Sequence, residues 1–176
     1  MSPKILTLLI QVLEFLRDSN FEMTEIYLNQ ALELDSNNPY IYRLFGVLFA
    51  LRGKYLVAHE YFYKPLKIDL TYHEAWSNKG NALYELKRFD EAIVLHDKAL
   101  NLKPDYAEAW SNKGVTLNEL KRYDEAIVHY DQALRLKPEY AEAWSNMGNT
   151  LQALKCYYET LVHYKFASPQ LPTHHA

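Results

Sequence analysis

Ala75-Trp76-Ser77-Asn78-Lys79-Gly80 recurs as Ala109-Trp110-Ser111-Asn112-Lys113-Gly114 and, with one change, as Ala143-Trp144-Ser145-Asn146-Met147-Gly148. The three tryptophans stand 34 residues apart. A fixed period of that size means one supersecondary unit stacked on copies of itself, so most recurring residues serve contacts between neighbours. Function is to be sought among the residues that this packing leaves over.

Numbered so that each tryptophan is the fourth residue, the repeats run 5–38, 39–72, 73–106, 107–140 and 141–174, followed by an irregular tail that takes in 168–176. Repeats 73–106 and 107–140 are identical at 24 of 34 positions, whereas 5–38 and 141–174 are degenerate. Trp76, Lys79, Gly80 and Leu83 fall at i, i+3, i+4 and i+7, one face of a helix. Thr71-x-x-Glu74 and Asp105-x-x-Glu108 have the form of capping boxes at its start. A second helix follows in each unit, with Asp90-Glu91 and Asp124-Glu125 placing negative charge in its first turn. Pro104 and Pro138 separate one unit from the next. Gly80 and Gly114 lie inside helices, where glycine costs about 1 kcal/mol relative to alanine, and close approach of another helix is the expected compensation. Pro65, at the place of Ala99 and Ala133, is expected to kink or end its helix.

The landmarks Trp110, Gly114, Leu117, Ala126, Tyr130, Ala133 and Pro138, repeated in 73–106 as Trp76, Gly80, Leu83, Ala92, Ala99 and Pro104, resemble the tetratricopeptide repeat (TPR) family. Its pattern is Trp-x2-Leu-Gly-x2-Tyr, then Ala-x3-Phe, then Pro. Lys79 and Lys113 depart from it, as do His96 and the leucines 83, 117 and 151, all in ways that packing tolerates. The first repeat has Leu8 and Val12 where tryptophan and glycine are expected and keeps Ala31 as its clear small landmark. The resemblance implies an all-α right-handed solenoid of about five antiparallel helix pairs, ten helices in all.

It also implies a concave groove lined by repeat positions 2, 5, 6, 9, 12 and 13, with positions 4, 7, 8 and 11 turned to the packing. Read through the array, these give Glu74, Glu108 and Glu142; Ser77, Ser111 and Ser145; and Asn78, Asn112 and Asn146. Asn81, Val115 and Asn149 follow, then Tyr84, Asn118 and Gln152. The expected groove is polar, mildly acidic and rich in amides. An asparagine side chain offers one acceptor and two donors, so a ladder of them can pair with the backbone of an extended peptide whatever its sequence. The row is similar to that in the TPR arm of O-GlcNAc transferases. Three such residues support only weak affinity, which leaves specificity to Tyr84, Arg43 and the glutamates. A carboxylate clamp of the chaperone-adaptor kind needs several groove cations, and Arg43 is the one clear cation at these positions. Lys79 and Lys113 read as structural, their stems covering apolar surface.

The formal net charge of −3, with both signs interspersed, gives no footprint for nucleic acid or anionic membrane. Cys156 is the only cysteine, which excludes an internal disulfide and fits a reducing, cytoplasmic setting. Ile5 to Leu16 imitates a signal segment after Lys4, but Gln11 and Glu14 interrupt it and no small-x-small cleavage site follows. No run reaches the 18 or so apolar residues of a membrane span.

No catalytic constellation, metal site or cofactor motif is evident. His129 and His163 are spaced by the repeat, His174-His175 lack acidic or sulfur companions, Cys156 has no activating neighbour beyond Lys155, and there is no phosphate loop or serine elbow. The expectation is a non-catalytic scaffold that binds an extended segment of another protein. The alternatives are the recruiting arm of a larger, O-GlcNAc-transferase-like enzyme, or an assembly joined through the terminal repeats. For the last of these, Tyr157, Tyr158, Leu161, Tyr164 and the Leu/Ile-rich face of the first helix are the candidate surfaces.

Overall fold

The computed structural model describes residues 2–167, and among them every regular element is helical. Four antiparallel hairpins come first: α1 (Pro3–Arg17) with α2 (Phe21–Leu34), α3 (Pro39–Leu51) with α4 (Tyr55–Ile68), α5 (His73–Glu85) with α6 (Phe89–Leu102), and α7 (Ala107–Glu119) with α8 (Tyr123–Leu136). A single helix, α9 (Ala141–Ala167), closes the described chain. Each helix packs on its neighbours in sequence, and beyond that α3 touches α5, α5 touches α7 and α7 touches α9. The odd-numbered helices therefore form the inner layer of a solenoid, and the even-numbered ones its outer layer.

One contact builds each hairpin. The ring of Phe62, His96 or Tyr130, four residues after Ala58, Ala92 or Ala126, lies against Gly46, Gly80 or Gly114 of its own repeat. A β-carbon on Gly114 would sit 2.7 Å from Tyr130 Cε1, and one on Gly80 would sit 2.8 Å from His96 Cε1. Close approach thus accounts for glycine in mid-helix, as the sequence suggested. The first repeat reaches the same result with different volumes, because Val12 and Leu28 stand where glycine and ring stand elsewhere, and both are fully buried. Removing a ring while adding a branched side chain conserves core volume, the kind of exchange that cores tolerate.

The tryptophans do a second job. Each indole N–H donates to a carbonyl six residues back, Trp76 to Leu70 (2.8 Å), Trp110 to Pro104 (2.8 Å) and Trp144 to Pro138 (2.9 Å), which latches the loop between repeats onto the following helix. Trp76 and Trp110 are half-buried, and Trp144 is 56 % exposed.

Three expectations are corrected. The described residues contain nine helices rather than ten, because what would be the two helices of the last repeat are continuous in α9. In the first four repeats the chain turns at Ser19, Gly53, Lys87 and Lys121, all with φ between 56° and 71°, and Lys155 at the same place stays helical. Arg88 and Arg122 follow that turn and clasp Glu91 and Glu125 through Nε and Nη2 at 2.6–2.7 Å; Cys156 stands there in the last repeat, and Tyr158 replaces the first-turn aspartate. The last repeat thus lacks the clasp and the first-turn aspartate of the two before it, although α4 starts after Gly53 without either. Pro65 does not end α4, which runs on to Ile68; it lies in the last turn, where only one helical hydrogen bond is lost. The capping boxes do not form either. Tyr72 and Tyr106 are the N-caps, and Thr71 instead donates from its N–H (2.8 Å) and hydroxyl (2.6 Å) to Asp69 Oδ1 in the inter-repeat loop. The tail 168–176 and the side chains of Leu161, His163 and Tyr164 lie outside the described residues.

Candidate functional site

An inner helix is held on two sides, which leaves only a narrow strip of it for solvent. Gly80 and Leu83 face α6 of their own repeat, while Ala82 joins Ala58 and Phe62 of the preceding one. Ala109 packs on Ala99 and Leu100 in the same way, and Ala143 on Ala133 and Leu134. Repeat positions 3 and 10, which the wheel assigned to neither face, are thus core.

Position 5 shares that fate in part. Ser77 and Ser111 are 1 % exposed rather than lining the groove, and their hydroxyls lie beside the phenols of Tyr106 and Tyr140 at the end of the same repeats. Ser145 is exposed. The reason is geometric: the tyrosine ending each repeat comes down over the serine of the same repeat and closes that position off.

The remaining strip carries most of the expected residues. Asn78, Asn112 and Asn146 are half-buried at the same place in α5, α7 and α9, and no hydrogen bond among the described residues engages their amide groups. The backbone carbonyls of Asn112 and Asn146, by contrast, accept from Thr116 and Thr150 at 2.9 Å. Asn81 is half-buried beside Asn78, and Asn149 is exposed. Asn118 is structurally engaged, its Oδ1 accepting from Thr150 Oγ1 at 3.0 Å. Tyr84 donates to Glu119 at 3.4 Å, and Glu142 lies 3.5 Å from the Tyr140 hydroxyl. Glu74 lies 3.2 Å from the His73 ring, and Glu108 is 3.3 Å from Lys137 Nζ. Arg43 donates from Nε to the Tyr72 hydroxyl at 2.9 Å with its guanidinium over the Tyr40 ring. Lys113, off the strip, pairs with Asp97 at 2.6 Å, and Lys79 lies over the Tyr63 ring, which fits their structural reading.

Two features were missed at the sequence level. One is a row of tyrosines, Tyr72, Tyr106 and Tyr140, interleaved with the glutamates of position 2. Burial, with the carboxylates of Glu108 and Glu74, pushes Tyr106 up to about 12; burial, with Glu142 and Glu108, does the same to Tyr140. The row was readable as a third recurring residue, but it precedes each helix and so falls off a helical wheel. The other is a pocket of about 270 Å³ between the second and third repeats, with Val47, Ala50, Leu51 and Tyr55 on one wall and Asn78, Asn81 and Glu85 on the other. Val47, Ala50 and Leu51 of that wall stand at groove positions of the second repeat, where apolar residues look like core in a sequence.

Among the described residues no group of three His, Cys, Asp or Glu is placed to hold a metal ion, and no helix is long and apolar enough to cross a membrane.

A tetratricopeptide repeat family model matches residues 107–140, and a TPR repeat model matches 80–120. No curated protein matches the chain in sequence. Among solved structures, PilF of Pseudomonas aeruginosa superimposes with a TM-score of 0.77 at 24 % identity over 96 % of this chain and 78 % of that one. The Cut9-Hcn1 hetero-tetramer of the APC/C gives 0.75 at 21 % identity over 84 % of this chain and only 30 % of that one, so this chain spans less than a third of that relative. These two likenesses establish the fold alone. The first TPR of Spaghetti (RPAP3), solved with the HSP90 peptide SRMEEVD, gives 0.64 at 27 % identity over 69 % of this chain and 96 % of that one. The 34-residue period, the glycine-and-ring hairpins and these matches agree: residues 80–140 match tetratricopeptide repeat models, and the described chain has the TPR solenoid fold.

Proposed function

We propose that the chain is a non-catalytic scaffold whose inner groove binds an extended segment of another protein. TPR arrays are protein-interaction scaffolds, and the observation that carries the finer reading is the asparagine row. Three amides recur at one position of successive inner helices, half-buried and engaged by no hydrogen bond among the described residues. A half-buried amide without a partner gains from a ligand that supplies one. Backbone N–H and C=O groups recur along any extended peptide, so such a ladder grips main chain and leaves side-chain selection to its neighbours.

The test is capture of partners from source lysate with the wild type and with an Asn78→Ala, Asn112→Ala, Asn146→Ala variant of unchanged helicity. At about 0.5–1.5 kcal/mol per hydrogen bond, loss of three should weaken a groove-bound partner at least about tenfold. Partners retained in full would move function off the groove.

A second reading, self-association, is favoured by a separate observation. Leu6, Ile10 and Leu13 form an exposed stripe along α1, and Trp144, Leu151, Tyr157 and Tyr158 are exposed on α9. Exposed apolar patches mark contact surfaces, and one at each end of a stack suits head-to-tail docking of copies. A monomer mass in light scattering at micromolar concentration would eliminate it.

A further inference from the structure

The groove has a sign and an anchor point. Along its strip Glu74, Glu85, Glu108, Glu119 and Glu142 present carboxylates, Glu85, Glu119 and Glu142 exposed and Glu74 and Glu108 half-buried. Aromatic rings accompany them. Tyr84 lies within the field of Glu85 and Glu119, Tyr106 within that of Glu74 and Glu108, and Tyr140 within that of Glu108 and Glu142. A carboxylate beside a phenol ring is a site for an ammonium or guanidinium group, which gains an ion pair and a ring face together.

The chain's own cations already use such sites. Lys137 stands 3.3 Å from Glu108 with its Nζ 4.9 Å from the Tyr140 ring centre. Arg43 lies 4.7 Å over Tyr40 and bonds Tyr72, and Lys103 lies 5.7 Å over Tyr106. Glu85 and Glu119 have no cation within ion-pair distance among the described residues. Glu85 also borders the 270 Å³ pocket, opposite Leu51 and Val47. A pocket of that volume has room for an aliphatic side chain, with a carboxylate at its rim.

We infer that the groove takes a basic extended segment, with Lys or Arg side chains on the Glu and Tyr rows and one aliphatic side chain anchored between Val47, Ala50, Leu51 and Tyr55. This rests on the groove function proposed above and names the chemistry of its partner. An acidic peptide, such as the one bound to the first TPR of Spaghetti, would meet carboxylates instead.

The experiment uses three fluorescein-labelled twelve-residue peptides, each with one central Leu among Lys and Ser, among Glu and Ser, or among Ser alone. Fluorescence anisotropy with the full chain should rank the Lys peptide at least roughly tenfold above the Glu peptide at low salt, with affinity falling as salt rises. Glu85→Gln with Glu119→Gln should remove most of that preference, while Glu22→Gln with Glu60→Gln, an equal charge change on the second helices, should leave it. Replacing the peptide's Leu by Ser, or Val47→Asp in the protein, should weaken binding further. Equal binding of Lys and Glu peptides, or equal damage from the two glutamine pairs, overturns the inference. If all three peptides bind alike and the triple asparagine variant abolishes them, groove binding stands and the basic preference falls. If none binds at about 1 mM, both readings fall.

Discussion

Repeats 107–140 and 141–174 begin with nearly the same eight residues and end in different structures. In the former, Lys121 takes a left-handed turn and α8 folds back so that Tyr130 presses on Gly114; in the latter, Lys155 stays helical and a β-carbon on Gly148 would meet nothing within 4 Å among the described residues. The first helix therefore forms alike in both repeats, whereas the turn that returns the chain is made in one and not in the other. Repeat identity at the start of a unit does not guarantee a hairpin at its end.

The largest effect comes from testing that contact directly. Gly114→Ala should destabilise by about 2–3 kcal/mol, since the new methyl meets the Tyr130 ring, while Gly148→Ala should be neutral or stabilise by up to about 1 kcal/mol through helix propensity. Urea unfolding of both variants decides it, and equal losses would mean that the last repeat closes like the others.

His96 offers a smaller and pH-dependent contrast with Tyr130, which occupies the same place one repeat later. It is fully buried with neither ring nitrogen hydrogen-bonded, and burial, assisted by Lys113, pulls it down to about 3. The unfolded chain protonates this histidine near 6.5, so between about 3 and 6.5 the unfolded state binds more protons. Stability is then lost as pH falls, by about 1.4 kcal/mol per unit from this group. His96→Phe, matching Phe62 two helices earlier, should stabilise by about 1–2 kcal/mol at neutral pH and flatten the stability profile from pH 6.5 to 4.5. An unchanged profile would place the ring in contact with water.

The smallest change in stability should come from restoring the turn. Cys156→Arg with Tyr158→Asp returns the guanidinium–carboxylate clasp and the first-turn charge, each worth less than about 1 kcal/mol. Its readout is distance: spin labels at Ser145 and Lys165 stand about 30 Å apart along one helix and should approach below about 20 Å in a hairpin.

These contrasts also mark what the sequence could express. The period, the close helix approach at Gly80 and Gly114 and the recurrence of the asparagines were legible, because each recurs at fixed spacing; which ring meets the glycine was not. Ser77 and Ser111 were misplaced because position 5 lies between two faces, and only the neighbouring tyrosine decides which one it joins. The pocket escaped notice because Val47 and Leu51 are chemically what a core needs. Thr71 had the pattern of a cap, but it donates both its N–H and its hydroxyl to Asp69, and Tyr72 is the N-cap.

The indole latches have a spectroscopic consequence. Each tryptophan spans a different junction, and their surroundings differ from half-buried to 56 % exposed, so the protein carries a separate optical probe for each of its last three inter-repeat seams. In a linear stack that opens unit by unit, emission from three single-tryptophan variants gives the order in which the seams part on heating. The seam at Trp144 should part first.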